Sequence, residues 1–373
     1  MMSSSLWSSR PCIALWSVGF WAVNISHLLF LSLRNTISPL RSVPQWSYRL
    51  SMGTAFMRAV YRYLSAVRFQ QPLKKVPGKS GDRFVLIEPP KDTAPLRGVL
   101  DPLSAAAKPA PVSAVWFPSH VMAPSDNPSR RRKVVLYAAG GGFVTGFDPA
   151  LVAKIVLPII TSDHFGATHV FNVQYRLASD VDPFPGALFD FFAVYQYVLD
   201  LGVAAADIVL MGDSAGGNLV LALLRYLVDH RLPQPGAAAI FSPWVEVTRQ
   251  AVEKIDNSHI ARYDVLDAPV IYWGVEAYRP KGRAVTQEEE RYISPLGHPF
   301  RLETPLYIEA GALEGLFESI SIFASQMADV KGNRVQFHSF EDMPHDFFAL
   351  WPAIGTKKEA CEALERARNF FEE

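Results

Sequence analysis

Gly212-Asp213-Ser214-Ala215-Gly216 is a G-x-S-x-G pentapeptide. Four apolar residues, Ile208 to Met211, precede it and read as a short buried strand. Leu219, Val220, Leu221, Leu223 and Leu224 then fall on a helical pattern. Strand, sharp turn and helix form the setting in which such a serine acts as a nucleophile. The turn strains the serine backbone, so the residues two positions to either side must be small. Gly212 and Gly216 meet that need. A glycine-rich turn that merely holds a serine would look the same over five residues, so the rest of the chain must decide.

A serine hydroxyl is a poor nucleophile without a base, an acid to orient that base, and donors for the oxyanion. Five histidines follow Ser214: His230, His259, His298, His338 and His345. His230 ends a helical stretch and His338 lies inside a strand. His345 follows the last strand, in Glu341-Asp-Met-Pro-His-Asp-Phe-Phe348, where an imidazole can reach the serine. Three carboxylates compete for the acid. Glu309 ends a strand, and Glu318 opens a helix, where its charge suits the helix dipole. Glu314 sits mid-loop beyond the strand's C-terminal end, the side on which such a sheet presents its site. Gly140-Gly141-Gly142 follows an apolar strand, so backbone N–H groups there can face an open site. A phosphate loop would need a Lys-Ser/Thr that is missing.

Eight strands must carry these residues: Phe84–Glu88, Val112–Phe117, Lys133–Ala138, Thr168–Tyr175, Ile208–Met211, Ala237–Phe241, Pro305–Glu309 and Val335–Phe340. Helical patterns cover Trp46–Phe69, Ala187–Val198, Asp267–Tyr278 and Thr356–Phe371. Alternating strands and helices predict an α/β fold with a mostly parallel sheet flanked by helices. The polar, irregular stretch from Glu246 to Arg291 reads as an insertion over the site, after the sixth strand. The 46–80 region reads as a helical lid, and 81–373 as the catalytic domain. The basic run Arg130-Arg131-Arg132-Lys133 reads as a solvated loop end. Apolar residues make up 49% of the 373, and 19% are charged with no net charge. That allows a large core and gives no reason to expect nucleic acid. Two cysteines, Cys12 and Cys361, cannot build a disulfide framework, and no H-x-x-x-H pair suggests zinc.

Pro11 to Leu33 holds no charged residue over 23 positions. As a helix it would be about 35 Å long, enough to cross a bilayer. Residues 1–45 are therefore expected to hold a single-pass membrane anchor. Arg34, Arg41 and Arg49 follow it and only Arg10 precedes it, so the positive-inside rule favours a cytosolic C-terminal part.

Four motifs, taken in order, resemble the hormone-sensitive-lipase-like branch of the α/β-hydrolases, in its fungal, steryl-acetyl-hydrolase-like part. Gly140-Gly141-Gly142 is similar to the HGGG loop, and Tyr175-Arg176-Leu177-Ala178 with Pro183-Phe184-Pro185 to the YRLAPE…PFPAAL run. Gly212 to Asn218 matches GDSAGGN, and Met343-Pro344-His345 resembles MPHGF. The resemblance covers about residues 80–373. It implies Ser214 as nucleophile, His345 as base and Glu314 as acid. It also implies an oxyanion hole at the 140–142 loop and Ala215, with N–H groups from Gly141, Gly142 and Ala215. Ala139 replaces the His of HGGG, Glu314 stands where the acid is usually Asp, and Asp346 stands where Gly is usual.

The expected protein is a membrane-anchored hydrolase of an apolar small-molecule ester, needing no metal or cofactor. An acyl-enzyme could also pass to another nucleophile or close a ring, as in the tailoring of secondary metabolites. A ligand receptor that has lost catalysis is the reading from a different class.

Overall fold

A computed structural model describes residues 10–71, 73–89, 96–120, 133–146 and 149–373. The Arg130–Arg132 run lies outside them. Eight strands form one sheet: β1 Phe84–Ile87, β2 Val112–Phe117, β3 Val134–Ala138, β4 His169–Gln174, β5 Ile208–Asp213, β6 Ala237–Phe241, β7 Leu306–Gly311 and β8 Val335–Phe340. Their order is β1-β2-β4-β3-β5-β6-β7-β8. β1, β2 and β4 pair antiparallel, and every pairing from β4 through β3 to β8 is parallel. Central parallel strands are buried on both faces and so read as continuous apolar runs. β3 (Val-Val-Leu-Tyr-Ala) and β5 are buried along their whole length.

β5 runs two residues past Met211, the end expected from its apolar run. Gly212 pairs with Ala138 and Asp213 with Phe241. Ladder bonds on both sides hold these residues extended although their side chains give no strand signal. β7 likewise reaches Gly311, opposite Phe340.

The helices are α1 Arg10–Asn35, α2 Tyr48–Val67, α3 Pro149–Ile155, α4 Leu157–Thr161, α5 Gly186–Asp200, α6 Ser214–Asp229, α7 Arg249–Asp256, α8 Ala268–Tyr278, α9 Gln287–Ile293, α10 Phe317–Asp329, α11 Trp351–Ile354 and α12 Lys357–Glu372. α7, α8 and α9 make up the stretch between β6 and β7, where the insertion was expected. Asn218 on α6 binds this stretch: its amide donates to the carbonyls of Trp244 (2.7 Å) and Ile293 (3.0 Å). The Tyr175-Arg176 run is pinned to α5, because the buried Asp190 carboxylate accepts from Arg176 Nη2 at 2.5 Å and from its backbone N–H at 2.7 Å.

α2 is started by Ser47, whose hydroxyl accepts the Leu50 N–H. Its buried residues are Leu50, Ser51, Thr54, Met57, Ala59, Tyr61 and Ser65, and four of these seven carry a hydroxyl. α1 lies antiparallel along it. Ser17 meets Tyr63 at 3.0 Å and Ser32 meets Tyr48 at 2.7 Å, and Trp16, Phe20 and Trp21 surround the Tyr63 ring. The opposite face of α1 is exposed and apolar, with Leu15, Val18, Val23, Leu29, Phe30 and Leu33.

Candidate active site

Ser214 stands where β5 turns directly into α6, at φ +50°. A non-glycine residue reaches that region only under strain. The neighbouring glycines permit it. A Cβ on Gly216 would sit 1.9 Å from the Ala138 carbonyl oxygen, and one on Gly212 would sit 2.5 Å from Gly216. Side chains at either position would push the turn off β3.

The structure brings Ser214, His345 and Glu314 into one line. Ser214 Oγ lies 2.9 Å from His345 Nε2, and Glu314 Oε2 lies 3.1 Å from His345 Nδ1. All three are buried. A carboxylate can only accept, so Nδ1 carries the proton toward Glu314, and Nε2 is left to accept the serine hydroxyl. Burial opposes a charge on His345, but the bond to Glu314 and its charge, with Asp264 and Asp213 behind, outweigh it. The imidazole pKa therefore lies above the ordinary 6.5. Burial pushes Glu314 up, and the bond and charge of His345 pull it part of the way back.

The other two acids are elsewhere. Glu309 points into the protein, fully buried, with neither carboxylate oxygen partnered. Burial and the nearby Glu314 push its pKa well above the usual range, so it is held as the neutral acid. Glu318 is exposed in the first turn of α10. His338 is in β8, and His230 caps the end of α6.

The glycine loop needs one correction. Gly140 was included with the oxyanion loop, but its N–H donates to Asp213 Oδ2 at 2.8 Å and is spent there. A Cβ on it would also meet that oxygen at 2.3 Å. Gly141 and Gly142 take φ of +128° and +62° and line the cavity above Ser214. Ala139 leaves the loop without a polar side chain at the HGGG position. It borders a mainly apolar cavity of about 170 Å³, beside Met57, Tyr137 and Asp213.

Three features go beyond the triad and the oxyanion loop. Asp264, buried between α7 and α8, binds both loops of the site: Oδ1 accepts the His345 N–H at 2.9 Å and Oδ2 the Gly315 N–H at 2.8 Å. Its only sequence signal is an acid set beside Val265-Leu266. Asp346, at φ +55°, shares a hydrogen bond with Asp213, whose carboxylate also takes the Tyr137 hydroxyl. Burial and the Asp213 charge push Asp346 well up, so one proton is held between the two. Tyr61 of α2 and Trp244 join Leu266, Val270, Ile271 and Leu316 in walling the cavity. That cavity measures about 20 Å³.

A family model described as alpha/beta hydrolase fold matches residues 135–349, and the chain belongs to that family. An acetyl-hydrolase of Streptomyces hygroscopicus is 28% identical over 230 residues, 62% of this chain and 73% of that protein. An esterase of Acinetobacter venetianus is 29% identical over 187 residues, 49% of this chain and 58% of its own length. Among solved structures, a mutant of the esterase E40 superposes with a TM-score of 0.62 at 23% identity, covering 87% of this chain and 99% of that one. An esterase from the bacterial hormone-sensitive lipase family gives 0.58 at 24% identity, covering 87% and 97%. At those identities the structural likeness speaks for the fold. The chain is an α/β-hydrolase with a hydrolase's fold and family.

Proposed function

We propose that the chain is a serine carboxylic ester hydrolase for an apolar alcohol esterified with a short acyl group, in the manner of the fungal steryl-acetyl hydrolases. The observation that carries this is the buried line Glu314–His345–Ser214. Ser214 Oγ gives its proton to His345 Nε2 and attacks the ester carbonyl. The N–H groups of Gly141, Gly142 and Ala215 are the donors for the oxyanion. His345 returns the proton to the departing alcohol oxygen, which leaves an acyl group on Ser214. Water, deprotonated by His345, then releases the acid and restores the serine. Glu314 keeps the imidazole in the working tautomer and supports its charge.

The size of the site supports a small acyl group. One water needs about 10–15 Å³, so a 20 Å³ cavity holds little beyond the reacting atoms. The relative named acetyl-hydrolase agrees with that size. The helix Ile13–Asn35 has mean hydropathy 1.5 and is long enough to span a bilayer. Its pairing along the length of α2, which carries Arg49, Arg58 and Arg62, supports a helix lying along the membrane surface more than one crossing it.

A fluorophosphonate probe, followed by peptide mass mapping, tests the serine: modification of Ser214 is expected. Ser214→Ala should lower kcat on an activated ester by about 10⁴ or more with binding nearly intact. Retention of a tenth of the activity would overturn the assignment. A panel of sterol acetates, longer sterol esters and lactones tests the substrate class, with acetates expected to lead.

A further inference from the structure

We infer that the cavity between α1, α2 and the segment before α8 is a binding site for a phosphate-bearing lipid headgroup. It measures about 360 Å³. A void that size is far above the roughly 10–15 Å³ that one water requires. Its walls are polar in a particular way. Ser51 and Thr54 are 7% and 4% exposed, and both hydroxyls lack any hydrogen-bond partner within the protein. Arg58 Nε, one turn along α2 on the same face, is buried and equally unpartnered. Buried polar groups are normally paired, so three such atoms in one cavity point to an acceptor-rich guest.

The charge has the same sense. Arg34, Arg58, Arg62 and Arg262 line the cavity against Asp264. Asp264 spends both oxygens on backbone N–H groups. The nearby Asp267 is taken by Arg62 and lies 3.9 Å from Arg58. Among the described residues, Arg34 meets the neutral Asn35 and Ser42. The excess of guanidinium suits an oxyanion with several acceptor oxygens, as in a phosphate monoester. α1 lines the cavity with Asn24, His27 and Arg34 on one side and carries its exposed apolar face on the other, which makes a lipid the source. That choice of source rests on the membrane attachment proposed above; the cavity chemistry does not.

Full-length protein is floated with vesicles of phosphatidylcholine alone and of phosphatidylcholine mixed with phosphatidic acid. Binding to the first reports α1. Binding about ten-fold tighter to the second reports the cavity. Thr54→Val and Arg58→Gln should each remove most of that gain and leave the phosphatidylcholine binding unchanged. Arg68→Gln, an exposed arginine at the end of α2, should keep it. Thr54→Val should not lower Tm without lipid, because its hydroxyl has no partner to lose; this variant stands should Arg58→Gln fold poorly. A gain that survives both cavity variants, or is lost equally in Arg68→Gln, overturns the site. If neither vesicle binds, the attachment fails, and a soluble short-chain phosphatidic acid then decides the cavity. A rise in Tm that Thr54→Val abolishes upholds it, and no rise overturns it. Free glycerol phosphate acting as strongly as the lipid overturns the lipid source.

Discussion

His345 is flanked by two sets of buried carboxyls that have been given different things to hold. On one side, Glu314 takes the imidazole N–H, and Asp264 takes the backbone N–H groups of His345, Gly315 and Val265. On the other, Asp213 and Asp346 share a proton, and Glu309 has no partner at all. Burial raises the pKa of every one of them. What separates the sets is the neighbour: Glu314 and Asp264 face the imidazole and backbone N–H groups, Asp213 faces Asp346 although it also accepts the Gly140 N–H and the Tyr137 hydroxyl, and Glu309 faces no donor. A buried carboxyl met by donors can remain an anion and support an imidazolium; one met by another carboxyl, or by nothing, keeps its proton. The first set serves the chemistry and the second is paid for in stability.

Glu314→Gln strikes that contrast hardest. It should lower kcat by about 10² to 10⁴, as a triad acid turned to its amide does. It should also move the pH profile. The working form is the neutral imidazole, and Glu314 raises the imidazole pKa above 6.5. Wild-type kcat/KM should therefore climb with pH through a value above 6.5, and the variant should climb at lower pH. An unmoved limb would mean that Glu314 does not hold the histidine.

Asp264→Asn comes next. One side-chain oxygen then faces N–H groups that needed two, and the amide nitrogen opposes a backbone donor. An orphaned buried N–H costs about 1–3 kcal/mol, so Tm should fall. As the loops of His345 and Glu314 lose their common tether, kcat should fall about ten-fold to a hundred-fold. Unchanged kinetics in a folded variant would remove Asp264 from the first set.

Asp346→Asn replaces one neutral group by another, and kcat should change by no more than about a few-fold. Its pH signature is sharper. The folded pKa of Asp346 lies above its unfolded value of about 3.8. Its contribution is thus complete below about pH 3.8 and is lost as pH rises toward the folded pKa. The variant should lose less stability than wild type between acid and neutral pH, read as Tm against pH. Glu309→Gln should show the same sign with kcat near wild type, and a fall in Tm at neutral pH would contradict its neutrality. Glu318→Gln, at an exposed position, should have the smallest effect of all.

Most of the sheet was legible because its signals are local. β3 and β6 are uninterrupted apolar runs and β5 opens with one, and the glycines around Ser214 announce a turn that tolerates nothing larger. His345 and Glu314 could be chosen by their place after β8 and β7. What was hidden depends on contacts across the fold. Asp264 is distant in sequence from the loops it ties, and Asp346 matters only because Asp213 faces it. Gly140 has the residue type of an oxyanion loop, yet its N–H is claimed by a carboxylate seventy-odd positions on. The apolar stripe of α1 gave the helix but not the partner that lies along it.

The ties of α2 bear on speed. Tyr61 walls the cavity above Ser214. The same helix and its approach hold the segment around His345: the Trp46 indole donates to the Asp342 carbonyl, and Arg49 Nη2 to that of Pro352 at 2.6 Å. A bulky ester would press on Tyr61, which walls that small space. If α2 shifts to make room, the Trp46 and Arg49 ties would carry that shift to the histidine loop, and admission of substrate would be coupled to readiness for proton transfer. Turnover would then keep the tempo of that shift, slowing with solvent viscosity even where the bond-breaking steps are fast.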